Sequence, residues 1–392
     1  MDNRALFLRH IAQTSPEPIG LEMVCAKGIY QYASNGKEYI DFISGFNVAN
    51  IGHGHPDVVK AVQTQAEQYM HLIVYGEFIQ SPQVAYAQLL TQHLPASLNC
   101  VYFTNSGAEA TEGALKLAKR YTGRSKIIGF QNSYHGSTQG ALSVMGDEYF
   151  RNAYRPLLPD VYHYPYGSEE VIRAIDSQTA CVIIETVQAE SGITIPPAGW
   201  LAAIHQRCRE TGALLILDEI QAGFGRTGTL WAFEQHNVAP DILLLGKALG
   251  GGMPLGAFIS DLPIIQSLVS NPVLGHITTF GGHPVSCAAG KAAFEVLLRE
   301  NYINEVKEKE EILRAHLQHP SIFDIKSNGL WASLKFADFA TNLAIIKRCI
   351  EKGLITDWFL FASDRLRIAP PLSISKDELK NACSVILQSI EP

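Results

Sequence analysis

Between residues 57 and 285 the chain repeats one pattern: a short, almost wholly apolar run followed by a segment of helix length. The runs are Val101-Tyr-Phe-Thr, Lys126-Ile-Ile-Gly-Phe, Cys181-Val-Ile-Ile-Glu, Leu214-Leu-Ile-Leu-Asp, Asp241-Ile-Leu-Leu-Leu and Leu255-Gly-Ala-Phe-Ile. A strand with one wet face alternates apolar and polar side chains, whereas a strand without a polar face must be covered on both sides. Parallel strands joined through helices achieve that cover. The pattern predicts an α/β chain whose large domain, residues 50–285, has a mainly parallel central sheet covered by helices.

The flanks read differently. Residues 20–50 alternate, and Asn35-Gly36 sits between Gly28-Ile-Tyr-Gln-Tyr and Tyr39-Ile-Asp-Phe, a hairpin signal. Beyond 286 a long helix opens at Cys287, a charged helix follows over 306–317, strand-like pieces lie near 331–336 and 366–368, and an amphipathic helix ends the chain. Residues 1–49 and 286–392 are therefore expected to build a small α+β domain from both termini. A length of 392 residues accommodates this division at about 150 residues per domain.

Composition removes several functions. With 47% hydrophobic and 18% charged residues the chain is neither disordered nor a coiled coil. Its net charge is −7, with no block of five like charges, so nucleic acid is not an expected partner. The longest aliphatic runs, 213–217 and 242–245, fall far short of the roughly 18 residues of a membrane helix, and no membrane partner is expected. Residues 1–15 carry Asp2, Arg4 and Arg9 and lack the apolar stretch of a secretory signal. The 7 cysteines are scattered without a C-x-x-C pair, as in a cytoplasmic protein with reduced thiols.

Ligands of open α/β sheets bind beyond the C-terminal strand ends, and those ends are where chemistry gathers. Ser106-Gly107-Ala108-Glu109 reads as a capping box whose uncovered amides suit an anion, although most such boxes only cap helices. Tyr134-His135-Gly136-Ser137 offers an aromatic beside a glycine, or simply a packed loop tyrosine. Asp218 ends an apolar strand and needs a cationic partner if buried. Ile220 shares its face, and Gln221 follows. Lys247, among glycines and apolar residues, is either a desolvated nucleophile, or a lysine that snorkels to solvent or pairs with Asp218. Thr278-Thr279-Phe280-Gly281-Gly282 supplies hydroxyls and amides suited to phosphate.

Three patterns mislead. Gly223-Phe-Gly-Arg-Thr-Gly228 spells a dinucleotide fingerprint, but Asp218 and Glu219 separate it from its strand and would repel a pyrophosphate. His53-Gly54-His55 lacks the further ligands of a metal site and reads as a turn before Pro56, so no metal is expected. Gly246-Lys247 lacks the remainder of a nucleotide-binding P-loop.

Together a phosphate cradle, an aromatic, a buried acid and a desolvated lysine are the parts a pyridoxal phosphate site requires. The sequence resembles the class III aminotransferases, the ornithine, acetylornithine and 4-aminobutyrate type, of pyridoxal-phosphate fold type I. The resemblance runs from Ile51-Gly-His-Gly-His-Pro56 to Leu366-Arg-Ile-Ala-Pro-Pro-Leu372. It is most specific in Leu217-Asp-Glu-Ile-Gln-Ala-Gly-Phe-Gly-Arg-Thr-Gly228 followed by Gly246-Lys-Ala-Leu-Gly-Gly-Gly252.

That resemblance implies a Schiff base between Lys247 and the cofactor, with Lys247 also carrying the proton, and Asp218 paired with the pyridine nitrogen. It implies Tyr134 and Ile220 on the ring faces, Gln221 at the phenolic oxygen, and Ser106, Gly107 and Ala108 at the phosphate. His135, Glu185 and Thr278 fall among the cofactor contacts, and Thr279 reaches the neighbouring subunit's phosphate, which implies a homodimer with shared active sites. Arg367 reads a substrate carboxylate, with Glu190 as its gate. Where relatives carry an arginine after aromatic-His-Gly this chain has Ser137, and Phe46 stands where ornithine enzymes place a tyrosine. The expected substrates are an amine, ω-amino acid or amino acid donor and an oxo acid such as 2-oxoglutarate or pyruvate, facing an apolar wall of Phe46, Tyr134 and Tyr75. An aminomutase, racemase, epimerase or decarboxylase would use the same lysine, aspartate and cradle.

Overall fold

The computed structural model describes residues 2–391, so Met1 and Pro392, the outermost residues of the expected small domain, lie outside it. The N-terminal strands are β1 (Met23–Lys27), β2 (Tyr30–Ala33) and β3 (Glu38–Asp41). The anticipated hairpin forms between β2 and β3, with Tyr30 opposite Ile40 and Tyr32 opposite Glu38. Gly36 supplies the left-handed turn residue, at φ 82°.

The strands β4 (Cys100–Thr104), β5 (Lys126–Phe130), β6 (Val161–Tyr164), β7 (Thr179–Glu185), β8 (Leu214–Asp218), β9 (Ile242–Leu245) and β10 (Gly256–Ser260) follow. Among the described residues they form a seven-stranded sheet in the order β4-β10-β9-β8-β7-β5-β6. Only β10 runs antiparallel to its neighbours; the pairs among β5 to β9 are parallel. The wholly apolar runs became the central strands, and every residue of β7, β8, β9 and β10 is buried. The sequence reading missed β6. As an edge strand it is only half covered, so Val-Tyr-His-Tyr carries no apolar run to betray it.

The helix Gly107–Thr122 lies across β7, β9 and β10. Helix Pro284–Arg299 packs on helices Pro56–Gln68 and Ser81–Thr91, and on the short turn Lys247–Gly250. That last contact backs the turn that opens with Lys247, just after the interior strand β9. Gly290 allows it, because a Cβ there would lie 2.2 Å from the Leu249 carbonyl oxygen and 2.6 Å from the Tyr86 ring.

The C-terminal strands are β11 (Asp324–Ser327), β12 (Ala332–Lys335), β13 (Leu354–Ile355), β14 (Asp357–Phe359) and β15 (Ala362–Ile368). Strands β11, β12, β15 and β14 form an antiparallel sheet in that order, while β13 leaves it and pairs in parallel with β3.

Arg226, the arginine of the misleading glycine motif, joins these regions. Its side chain is fully buried. It donates to the carbonyls of Leu330 (2.8 Å) and Pro370 (2.7 Å), to Ser44 Oγ (3.1 Å) and to Asn50 Oδ1 (2.7 Å). Among the described residues no carboxylate pairs with it, and burial pulls its guanidinium down to about 9 although Asp41 acts the other way. The motif is a staple between chain segments. Gly290→Ala is expected to lower stability by about 1–3 kcal/mol through overpacking, read as a lower midpoint in urea; an unchanged midpoint would show that this helix contact is not tight.

Candidate active site

Strands β7 and β8 end side by side in Glu185 and Asp218, which are direct neighbours in the ladder. Both are buried, and two such carboxylates demand hydrogen-bond donors. Asp218 Oδ1 accepts the Ile220 N–H (2.9 Å), and Oδ2 lies 2.7 Å from His135 Nδ1. Glu185 accepts the N–H groups of Tyr134 and Ala189, each at 2.9 Å. Burial, reinforced by the Asp218 charge, pushes the Glu185 carboxyl well above the usual range. Glu219 turns elsewhere: fully buried, it accepts the Ala232 and Phe233 N–H groups at 2.8 Å, and burial raises it to about 7.

Lys247 follows β9 with φ 50°. The acids that could neutralise it are engaged, Asp218 with His135 and Glu190 with Arg367, so the expected alternative of a Lys247–Asp218 ion pair does not form. Burial brings its amine down to about 8, against the attraction of Glu190, Asp218 and Glu185.

Lys247 and Asp218 line a cavity of about 330 Å³ together with Glu185, His135 and Tyr134. Gly107, Ala108, Ile220 and Gln221 also line it. The Tyr134 hydroxyl is 3.3 Å from Ser137 Oγ. Ser106 caps helix Gly107–Thr122 by accepting the Glu109 N–H at 3.2 Å, which leaves the first amides of the helix without intrahelical partners. The reciprocal half of the expected capping box is displaced by one residue. Glu109 accepts the Asn105 backbone N–H (2.9 Å) and the Asn105 amide (2.8 Å), because Asn105 offers donors on both its main chain and its side chain. Asn105 also donates to Thr278 Oγ1 at 2.8 Å.

Beside the cavity, Arg367 Nη2 meets Glu190 Oε2 at 2.6 Å, both side chains buried. Burial pushes the Glu190 carboxyl up, but Arg367 outweighs it by charge and hydrogen bond and holds it at about 2. Gln221 Nε2 donates to Glu190 Oε1 (3.2 Å), and the Leu360 N–H to Oε2 (3.0 Å). The Arg367 guanidinium lies over the Phe359 ring at 4.2 Å and the Phe46 ring at 5.1 Å.

Three anticipated residues lie apart from Lys247. Tyr75 and Thr278 line a second cavity of about 310 Å³, and Thr279 is exposed. Conversely, Val187 and Ala222 line the first cavity, and Trp358 and Phe359 hold Arg367; the sequence carried no signal for any of them. The histidines of His53-Gly54-His55 are separately employed. His55 Nδ1 accepts the Asp57 N–H at the start of helix Pro56–Gln68, and His53 lies 2.7 Å from Asp41.

The residues fit a phosphorylated aldehyde cofactor. The cavity unites a neutralisable amine, a buried carboxylate and a bare helix N-terminus, and Gly107 leaves no room for a side chain, since a Cβ would approach Ile220 Cδ1 to 2.7 Å. Gln221 Oε1 and His135 Nε2 are buried without partners, bonds that a bound group can supply.

Comparison with known proteins agrees. Residues 11–390 match the family model of class III aminotransferases. The chain is 37% identical to the acetylornithine aminotransferase of Methanopyrus kandleri over 396 residues, covering 100% of this chain and 99% of that protein. It is 37% identical to the acetylornithine aminotransferase of Methanosarcina mazei over 368 residues, covering 90% and 88%. The ornithine aminotransferase of Toxoplasma gondii superposes with a TM-score of 0.91 at 28% identity, covering 98% of this chain and 93% of that one. An (S)-enantioselective ω-transaminase from Thermomicrobium roseum gives 0.91 at 27% identity and covers 100% of both. A nearly full-length family match on a site built for the cofactor makes this chain a member of the class III aminotransferases, which transfer amino groups with pyridoxal phosphate.

Proposed function

We propose that Lys247 is the amine that carries the transfer, and that the chain exchanges an amino group between an amine or ω-amino acid and an oxo acid. The observation that carries this reading is the desolvated Lys247, lowered to about 8 with its neighbouring acids otherwise engaged. When bound, pyridoxal phosphate supplies the aldehyde that takes the amino group and a ring that delocalises charge. Lys247 Nζ acts as nucleophile and then as the base and acid that moves the proton. Asp218 presents its charge to the ring nitrogen and favours the protonated form, while His135 and Glu185 hold Asp218 and the Tyr134 loop in place. Tyr134 and Ile220 would flank the ring, Gln221 would meet the phenolic oxygen, and Ser106, Gly107 and Ala108 would receive the phosphate at the helix start.

Arg367 takes the carboxylate of the oxo acid, 2-oxoglutarate or pyruvate, and Glu190 occupies it when the donor brings none. Among the described residues no arginine lines the cavity itself; Ser137 and Tyr134 do, with their hydroxyls 3.3 Å apart. A serine does not replace a bidentate guanidinium. A donor carboxylate then has only Arg367 to meet, which favours amines and simple ω-amino acids over acetylornithine, for which the curated relatives are named.

A second copy of the chain completes the site. Ile79 (97% exposed), Met70 (65%) and Val273 (73%) are exposed apolar side chains in the chain segments that also carry Tyr75 and Thr278 of the second cavity, and exposed apolar groups of this kind suit an interface. A partner there would receive Thr278 and Thr279 at its own phosphate. Free cysteines suit work in the cytoplasm.

Lys247→Ala is expected to abolish turnover while leaving the unfolding transition in place; a variant with normal turnover would remove the lysine from its role. In the cofactor-free protein, a protonated amine has no lone pair to attack with. Labelling of Lys247 by a small aldehyde with reductive trapping should therefore be weak below pH 7 and half-maximal near about 8. Half-labelling near 10.5, the ordinary lysine value, would contradict the desolvation. Ile79→Asp should convert a sedimenting dimer into inactive monomer; an unshifted sedimentation profile would place the interface elsewhere.

A further inference from the structure

We propose that Arg226 is a positioning residue for carboxylate binding. By locking the turn Ser44–Asn47 in a left-handed conformation, it sets Phe46 against the face of Arg367. The proposal rests on the reading of Arg367 as the carboxylate receptor.

Ser44, Gly45, Phe46 and Asn47 have φ of 44°, 58°, 61° and 64°. Residues other than glycine visit this region singly, and a run of it persists only where surrounding bonds over-determine it. Those bonds are present. Ser44 Oγ accepts from Arg226 Nη2 at 3.1 Å and donates to the Ala369 carbonyl at 2.7 Å. Arg226 Nη1 donates to the Pro370 carbonyl at 2.7 Å, and Nη2 to Asn50 Oδ1 at 2.7 Å. Asn47 Nδ2 ties the end of the turn to the Gln221 carbonyl at 3.1 Å.

Ala369 and Pro370 follow β15, the strand that carries Arg367. One planar guanidinium therefore holds both the turn bearing Phe46 and the chain leaving Arg367, in a fork geometry that lysine does not reproduce. The consequence appears at Arg367. Phe359 and Phe46 both lie against its guanidinium, at 4.2 and 5.1 Å, and aromatic cover of a guanidinium face leaves the edges for bonding. Nη2 holds Glu190, and Nε is buried without a partner. A carboxylate must enter in the guanidinium plane, and that plane is kept by a ring whose backbone Arg226 locks.

A staple without this role would, on mutation, lower stability and leave the binding of carboxylates unchanged in the folded fraction. The test uses the reconstituted holoenzyme and glutarate, a dicarboxylate that cannot accept an amino group, with affinity read by calorimetry alongside KM and kcat for 2-oxoglutarate. Arg226→Lys is the direct variant. Ser44→Ala, which removes the hydroxyl between Arg226 and Ala369, serves where the lysine variant does not fold. Either should weaken glutarate and raise KM roughly tenfold, within the range of a desolvated cation–π contact, while kcat at saturation changes less than about twofold. Phe46→Ala should likewise weaken glutarate, and Ser44→Ala combined with Phe46→Ala should bind it no more weakly than Phe46→Ala alone, because the serine acts through the ring. Unchanged glutarate affinity in folded Ser44→Ala, losses that multiply in the double variant, or kcat falling as far as affinity would each overturn the proposal. Arg367→Lys separates the two levels. If it leaves glutarate binding intact, the carboxylate reading of Arg367 falls and the proposal with it; if it weakens glutarate while Ser44→Ala does not, the positioning role alone falls.

Discussion

Two carboxylates buried side by side at the end of an apolar sheet govern the geometry of this protein. Glu185 and Asp218 end strands that are fully buried and, apart from Thr179, otherwise hydrophobic, so bulk water does not solvate them and the protein must. Besides the amides of Ala189 and Ile220, one loop gives a partner to each: Glu185 takes the N–H of Tyr134, and Asp218 takes the ring of His135. The loop after β5 is thereby drawn across the mouth of the sheet, with Tyr134 over the cavity. Since Asp218 is occupied in this way and Glu190 is held by Arg367, Lys247 stays without an ion-pair partner among the described residues. Burial therefore lowers its pKa, although the charges of Glu190, Asp218 and Glu185 still act the other way.

A second requirement is to hold three distant stretches of chain around this site. Strand β13 crosses from the C-terminal part to pair with β3, and Arg226 binds the stretches near residues 44–50, 330 and 370 through four hydrogen bonds. A buried guanidinium without a carboxylate partner is expensive unless its donors are met. Meeting them with carbonyls and side chains from separate segments makes the fold depend on the simultaneous arrival of all three. The glycine-rich sequence around Arg226 has this work, which is why a nucleotide fingerprint could be spelled there without a nucleotide.

The central strands were legible because burial on both faces leaves a purely local mark, a run without polar positions. The hairpin at Asn35-Gly36 was legible for the same reason, since the turn type dictates its residues. Strand β6 was not, because an edge strand needs only half its surface covered. Ser106 read correctly as a helix cap, whereas Glu109 chose Asn105 over the expected partner; both offer N–H groups within reach, and only the relaxed geometry decides between them. Tyr75, Thr278 and Thr279 carry suitable side chains but lie around another cavity or on the surface in the single chain. Phe359 was invisible beforehand, since its place against Arg367 comes from the pairing of β14 with β15.

The sequence by itself determined the α/β class, the order of apolar strands and the residue types at their ends, because hydrophobic periodicity, turn chemistry and strand-end acids are properties of neighbours along the chain. Only the tertiary structure decided which acid meets which base. Whether Asp218 pairs with Lys247 or His135, and whether Arg367 is free or covered by Phe46 and Phe359, turns on distances of a few ångströms between residues far apart in sequence. Charge interactions and desolvation vary steeply over such distances. The chemical potential of the site is therefore written locally, and its state is set by packing.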